Sequence, residues 1–215
     1  MNDLIDTLMI VLVLTNLMIL GASRLSVCIR TVAIQGILLG LLPPLLAHDH
    51  VLGSRILFLA AASIGLRGIM FPWLLFRTLR DANVRREVEP FVGYSVSILG
   101  GIAALAGSFW LASRLPVAAA WASRLVFPVA LSTMFVGLFV IVSRKLALNQ
   151  VLGYLVLENG IYAFGLALVA QVPMLVELGV LMDAFVAVFV MSIATYHISR
   201  EFAHIDVDQL DSLKG

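Results

Sequence analysis

LNQVLGYLVLENGIYAFGLAL (148–168) and VELGVLMDAFVAVFVM (176–191) place the carboxylates Glu158 and Asp183 deep within apolar runs, the second stretch carrying Glu177 near its start as well. About 20 apolar residues in a helix span a hydrocarbon core of about 30 Å. Lipid offers backbone N–H and C=O groups no partner, so such runs read as helices rather than open strands. A charge at mid-depth costs about 2.5–3.5 kcal/mol on insertion scales, so acids placed there face a protein interior, a partner or water. Arg67, in SIGLRGIM (63–70), is a third ionisable group at comparable depth in an earlier run.

The same apolar pattern extends over the whole chain. Of the residues, 61% are hydrophobic and 13% charged, and mean hydropathy is +1.06, which excludes ordinary soluble-domain usage. Seven runs are long enough to cross: about 4–22, 26–47, 54–76, 92–112, 124–143, 149–170 and 173–197. The fold class expected is therefore an all-α integral membrane protein with about seven transmembrane helices. Splitting the last two runs at Pro173 fixes the odd number. Basic residues set the orientation. With the N-terminus outside, Arg24, Arg30, Arg77, Arg80, Arg85, Arg86, Arg144, Lys145, Arg200 and Lys214 fall inside, against Arg55, Arg114 and Arg124 outside. The positive-inside rule then predicts N-out and C-in. Asp3 and Asp6 stand where a signal peptide would be basic, so the first run is expected to stay as a helix.

Several function classes lose support. Cys28 is the single cysteine, which leaves no disulfide, no cluster-binding set and no cysteine metal site. No glycine-rich phosphate loop and no C-x-x-C appear. A net charge of +1 gives no reason to expect a nucleic-acid partner. The polar stretch RTLRDANVRREVEP (77–90) divides the chain into a three-helix part, 1–90, and a four-helix part, 91–215. That stretch reads as a solvated loop or as a docking surface for a peripheral subunit. Pro43 and Pro44 should end or kink the second helix, and Pro72 should bend the third near Arg67. Gly100 and Gly101 suit close helix packing. The tail REFAHIDVDQLDSLKG (200–215) is polar, with apolar residues spaced to lie on a surface.

The intramembrane polar residues carry the chemistry. A carboxyl taken out of water exchanges its proton nearer neutral pH than one on a surface, which suits a proton relay; Glu158 and Asp183 are the candidates. The two sit at matched depth in consecutive runs joined by a short turn at 171–173. Tyr154 shares the Glu158 helix face four residues earlier and could bond the carboxyl or simply pack. Glu177, one turn past Pro173, is either part of the path or an interfacial residue. Arg67 cannot be deprotonated. It must pair with a carboxylate, line a hydrated interior or meet another subunit, and Glu158 and Asp183 are its mid-depth partners within the chain. Gln35 suits an interhelical hydrogen bond. His197 reads as interfacial, and His48-Asp49-His50 resembles a metal clip only superficially.

The stretch from 149 to 215, with LNQVLGYLVLENGIYAFGLAL, VELGVLMDAFVAVFVM and the terminal IDVDQLDSLKG, resembles the last three helices of hydrogenase-4 component E. It is also similar to subunit K of bacterial complex I and to the corresponding three-helix component of Mrp-type antiporters. The resemblance to component E extends along the chain through RLS at 24–26, Gln35 and Arg67. It implies a three-helix unit, 124–197, with a buried acid in each of its last two helices, at Glu158 and Asp183. It implies a subunit of the bacterial or archaeal cell membrane, beside antiporter-like membrane subunits and a peripheral hydrogenase arm. The nickel–iron centre and iron–sulfur clusters would sit in those partners, with no cofactor or metal in this chain.

Three functions compete at this point. The first is a proton-conducting, non-redox subunit of a hydrogenase-type complex, with Glu158, Asp183, Arg67, Glu177 and Tyr154 in the path. The second is a scaffold joining antiporter-like subunits. The third is a component of a redox-free cation/proton antiporter of the Mrp type.

Overall fold

The computed structural model describes residues 2–46, 54–81, 91–114, 124–144 and 146–168, which are helical with short connections and contain no strand. In chain order they are α1 (Asn2–Gly21), α2 (Leu25–Gly40), α3 (Leu42–Leu46) and α4 (Ser54–Ser63). A π-helical segment (Ile64–Met70) follows, then α5 (Phe71–Asp81), α6 (Tyr94–Arg114), α7 (Val126–Ser143) and α8 (Ala147–Leu168). Five stretches of the described residues are long and apolar enough to cross a membrane: Asp3–Gly21, Leu25–Leu45, Ile56–Arg80, Tyr94–Arg114 and Val126–Ser143. They coincide with the first five expected runs. The sixth is α8, 22 residues long, with polar residues at its centre. The seventh, 173–197, lies outside the described residues, as do the tail and His48, His50 and His197.

Each interruption has a local cause. Pro43 and Pro44 have no N–H to offer the carbonyls four residues back, so α2 stops at Gly40. The Leu41 amide turns back to the carbonyls of Ile37 and Leu38, both at 3.2 Å, before the chain resumes as α3. Pro72 likewise cannot bond the Gly68 carbonyl. Just before it the helix widens, and the Phe71 amide donates to the Leu66 carbonyl five residues back. The expected bend near Arg67 thus takes the form of a π-helical turn with Arg67 at its middle. The helix also runs on through Arg77–Asp81, which the sequence reading placed in the loop. Arg77, Leu79 and Arg80 form helix readily, Leu79 packs on the core, and Arg77 reaches back over the Trp73 ring.

Bare backbone brings the helices together. α7 and α8 run antiparallel, with Ile141 facing Gly153, Gly137 facing Leu157 and Met134 facing Gly160. A Cβ at Gly153 would stand 2.8 Å from the Ile141 nitrogen and 2.9 Å from the Gly137 carbonyl oxygen. Gly36 of α2 plays the same part against the π segment, where a Cβ would meet the Arg67 backbone carbon at 2.7 Å. Small residues allow this closeness where no hydrophobic drive exists between helices in lipid. Gly101 of α6 lies against Leu20, as expected for a packing glycine.

Two apolar clusters close the ends of the bundle. One holds Ile5, Leu8, Met9, Leu12, Leu39, Leu42, Val126, Val129 and Leu166, and marks what is here called the Ile5 end. The other holds Ile19, Leu20, Leu25, Ile29, Phe71, Leu75, Val140 and Leu152, and marks the Leu25 end. Between them lies a layer of buried polar side chains.

Candidate functional site

Glu158 lies eleven residues after the start of α8 and ten before its described end, at the middle of the helix. Arg67 comes to it from the π segment, on a buried stripe that runs from Ala60 and Ser63 of α4 through Arg67 to Phe71 and Leu75 of α5. Arg67 Nη2 stands 3.0 Å from Glu158 Oε1, and both residues are only 4% exposed. The Arg67 Nη1 donates to Asn159 Oδ1 at 3.2 Å, so the planar guanidinium spans two consecutive residues of α8. The Tyr162 ring, one turn further along α8, lies 4.1 Å from the guanidinium carbon. Stacking on an aromatic face stabilises a desolvated cation.

From Asn159 the polar contacts run on without a break. Its Nδ2 donates to Gln35 Oε1 at 3.3 Å. Gln35 Nε2 donates to Asn16 Oδ1 at 2.8 Å and to Thr15 Oγ1 at 3.0 Å. Asn16 Nδ2 then donates to Thr133 Oγ1 at 2.8 Å. The two threonine hydroxyls donate to the carbonyls of Leu12 and Val129 in their own helices. This layer ties α1, α2, the π segment, α7 and α8 at one depth. Buried polar groups are tolerated only when paired, and these amides hold one another.

Of the expected site residues, the structure brings Glu158 and Arg67 together and confirms Gln35 as an interhelical bond. Tyr154 is partly buried and packs against the cluster at the Leu25 end. Asp183 and Glu177 lie outside the described residues. The sequence reading passed over Thr15, Asn16, Thr133, Asn159 and Tyr162. The rule that singled out Gln35, a polar amide inside an apolar run, applies equally to Asn16 and Asn159. Arg144, counted with the basic residues of the inner side, is buried. Its Nη2 donates to the Leu20 carbonyl at 3.0 Å, capping α1, and its guanidinium lies 5.0 Å from the Tyr94 ring. Among the described residues no group of three His, Cys, Asp or Glu is placed to hold a metal ion.

Comparison with known proteins adds the following. The family model of NADH-ubiquinone/plastoquinone oxidoreductase chain 4L matches residues 125–215, which begin at α7. An uncharacterized protein of Mycobacterium tuberculosis is 31% identical over 204 residues, covering 94% of this chain and 92% of its own. Hydrogenase-4 component E of Escherichia coli K12 is 40% identical over 87 residues, a match spanning 40% of each chain, and that of Shigella flexneri matches equally. No solved structure matches.

Proposed function

The chain belongs to one family with its mycobacterial relative and ends in a chain 4L-type unit, and on that premise we propose that it is a membrane subunit of a hydrogenase- or complex I-like assembly. Its part there is to contribute Glu158, together with Asp183, to a proton or cation path. The observation that carries this reading is the Arg67–Glu158 pair at the centre of the bundle. A proton delivered to Glu158 discharges the pair and leaves Arg67 to find another anion. One proton thereby changes the electrostatics of the whole layer, in a medium where each charge interaction is strong. Asp183, Glu177 and Tyr154 are the further members of the path. The cofactors of the parent reaction, a nickel–iron centre and iron–sulfur clusters, belong to partner subunits, and antiporter-like subunits and a peripheral arm are the neighbours. The cell membrane of a bacterium or archaeon is the setting.

The scaffold reading draws on a different feature of the same layer. Gln35, Asn159 and Asn16 are carboxamides, which donate and accept hydrogen bonds but do not ionise, so they hold helices in place without conducting.

Glu158→Gln separates the two readings. Gln fills nearly the same volume and keeps a hydrogen bond but cannot release a proton. The variant is expected to assemble with the normal complement of partners and to lose proton uptake per turnover in sealed vesicles, while Glu158→Asp retains a fraction. Wild-type coupling in the Gln variant would leave Glu158 as packing and the scaffold as the better account.

A further inference from the structure

We infer that protons reach Glu158 from the Leu25 end of the bundle, along one flank of α8, with the Tyr154 hydroxyl as the last step before the carboxylate. This deepens the relay reading, on which it rests, by assigning the entry to that same site.

Gln150, Tyr154 and Glu158 recur every four residues, so they share one side of α8, each a turn from the next. Their burial is graded. Gln150, in the first turn of the helix, is exposed, Tyr154 is half-buried and Glu158 is buried. At 1.5 Å of rise per residue, one such step covers about 6 Å. The Glu158 charge acts on the Tyr154 hydroxyl across it. A phenol hydroxyl donates one hydrogen bond and accepts another. It can therefore give its proton to the carboxylate as it takes one from water on its far side, and the hydroxyl itself is unchanged.

Two further observations give the route its direction. At the turn between α7 and α8, Ser143 Oγ and Asn149 Nδ2 are buried with no hydrogen-bond partner among the described residues. Buried polar atoms of this kind are where proteins hold ordered water. Toward the Ile5 end, by contrast, the same flank of α8 carries Ile161, Phe164 and Gly165 and offers no polar step. The Ser63 hydroxyl of α4 is unmet as well, but the cluster around Ile5, Leu12, Leu42 and Val126 closes the bundle at that end. The middle of the Leu25 end is also apolar, where Leu152, Leu155 and Val156 join Phe71 and Leu75. The polar stripe therefore follows the margin of that cluster, on which Tyr154 packs.

Water access is read through thiol chemistry, because only the thiolate reacts and it forms only where water is present. With Cys28→Ala as background, Tyr154→Cys and Leu138→Cys are compared in sealed vesicles, using a charged methanethiosulfonate reagent added from each side. Leu138 is exposed on α7, and the pairing of Gly137 with Leu157 sets it at a depth between Tyr154 and Glu158. Tyr154→Cys is expected to react at least about tenfold faster than Leu138→Cys, and only from the face opposite the one that tags Asp3→Cys. Equal, slow modification of the two in protein that accumulates normally would overturn the inference, and faster modification from the Asp3 face would overturn its direction. Tyr154→Phe removes only the hydroxyl oxygen, and it carries the test where the cysteine variant does not accumulate. It is expected to assemble normally and to lose most of the proton uptake per turnover. Wild-type uptake in Tyr154→Phe, where Glu158→Gln has lost it, would overturn Tyr154 as the step. Fast, one-sided modification combined with wild-type uptake in Glu158→Gln would keep the hydrated stripe and remove the relay.

Discussion

At the scale of single residues, the cost of burying charge made Glu158, Arg67 and Gln35 legible in the sequence. Each interrupts an apolar run, and only a paired group survives there. The same logic missed Thr15, Thr133 and Tyr162, because a hydroxyl can satisfy itself locally and a ring packs as a hydrophobe, so neither marks itself. Nothing in the sequence showed what Arg144 bonds. A basic residue at a helix end normally reaches to the surface, whereas here the orphan carbonyls ending α1 draw it inward. The pair itself yields a sharp stability test. Removing one partner of a buried ion pair leaves an uncompensated charge, which costs about 3–5 kcal/mol, whereas replacing both with apolar side chains can be nearly neutral. Arg67→Leu alone is therefore expected to lower thermal stability in detergent severely. Arg67→Leu combined with Glu158→Leu should recover much of the loss. Equal stability of the single and double variants would mean that Glu158 finds another partner when Arg67 is gone.

At the scale of elements, helices were legible because apolar runs of membrane-spanning length admit no other structure. Their ends followed the prolines closely. What the sequence could not specify was the form of the disturbance before Pro72. A missing N–H allows a kink, a break or a widened turn, and the choice depends on what packs alongside. Here α2 presents Gly36 against the Arg67 backbone, and that close approach accompanies the π-helical turn. Glycines were ambiguous in the same way, since sequence cannot tell a packing glycine from an idle one. A Cβ at Gly153 would meet the α7 backbone at Ile141 and Gly137 within 3 Å, whereas one at Gly107 of α6 would meet nothing within 4 Å. Overpacking of this kind typically costs about 1–3 kcal/mol. Gly153→Val is expected to reach or exceed that range in thermal unfolding. Gly107→Ala should be neutral or stabilising by up to about 1 kcal/mol, the helix-propensity difference. A Gly153→Val protein as stable as the parent would mean that α7 and α8 are less tightly joined than their backbones indicate.

For the whole molecule, the polar layer crosses the boundary that the family match draws. The chain 4L-type region begins at α7, yet the groups that compensate its buried acid, Arg67 and through Asn159 Gln35, come from the helices before it. The two parts therefore stand or fall together in the membrane, whichever way they are inserted. Ten basic residues on one side against three on the other argue for the N-terminus outside. Seven crossings, as expected from the sequence, would then place the C-terminus inside. The prediction is that, in a Cys28→Ala background, Asp3→Cys and Lys214→Cys are tagged by an impermeant maleimide from opposite faces of sealed vesicles, Asp3→Cys from outside. Tagging of both from one face would mean an even number of crossings, and the run containing Asp183 would then be the first to re-examine. If the acid of that run did not cross the bilayer, Glu158 would be the sole carboxylate at mid-depth. A proton leaving it would have to pass directly to a neighbouring subunit.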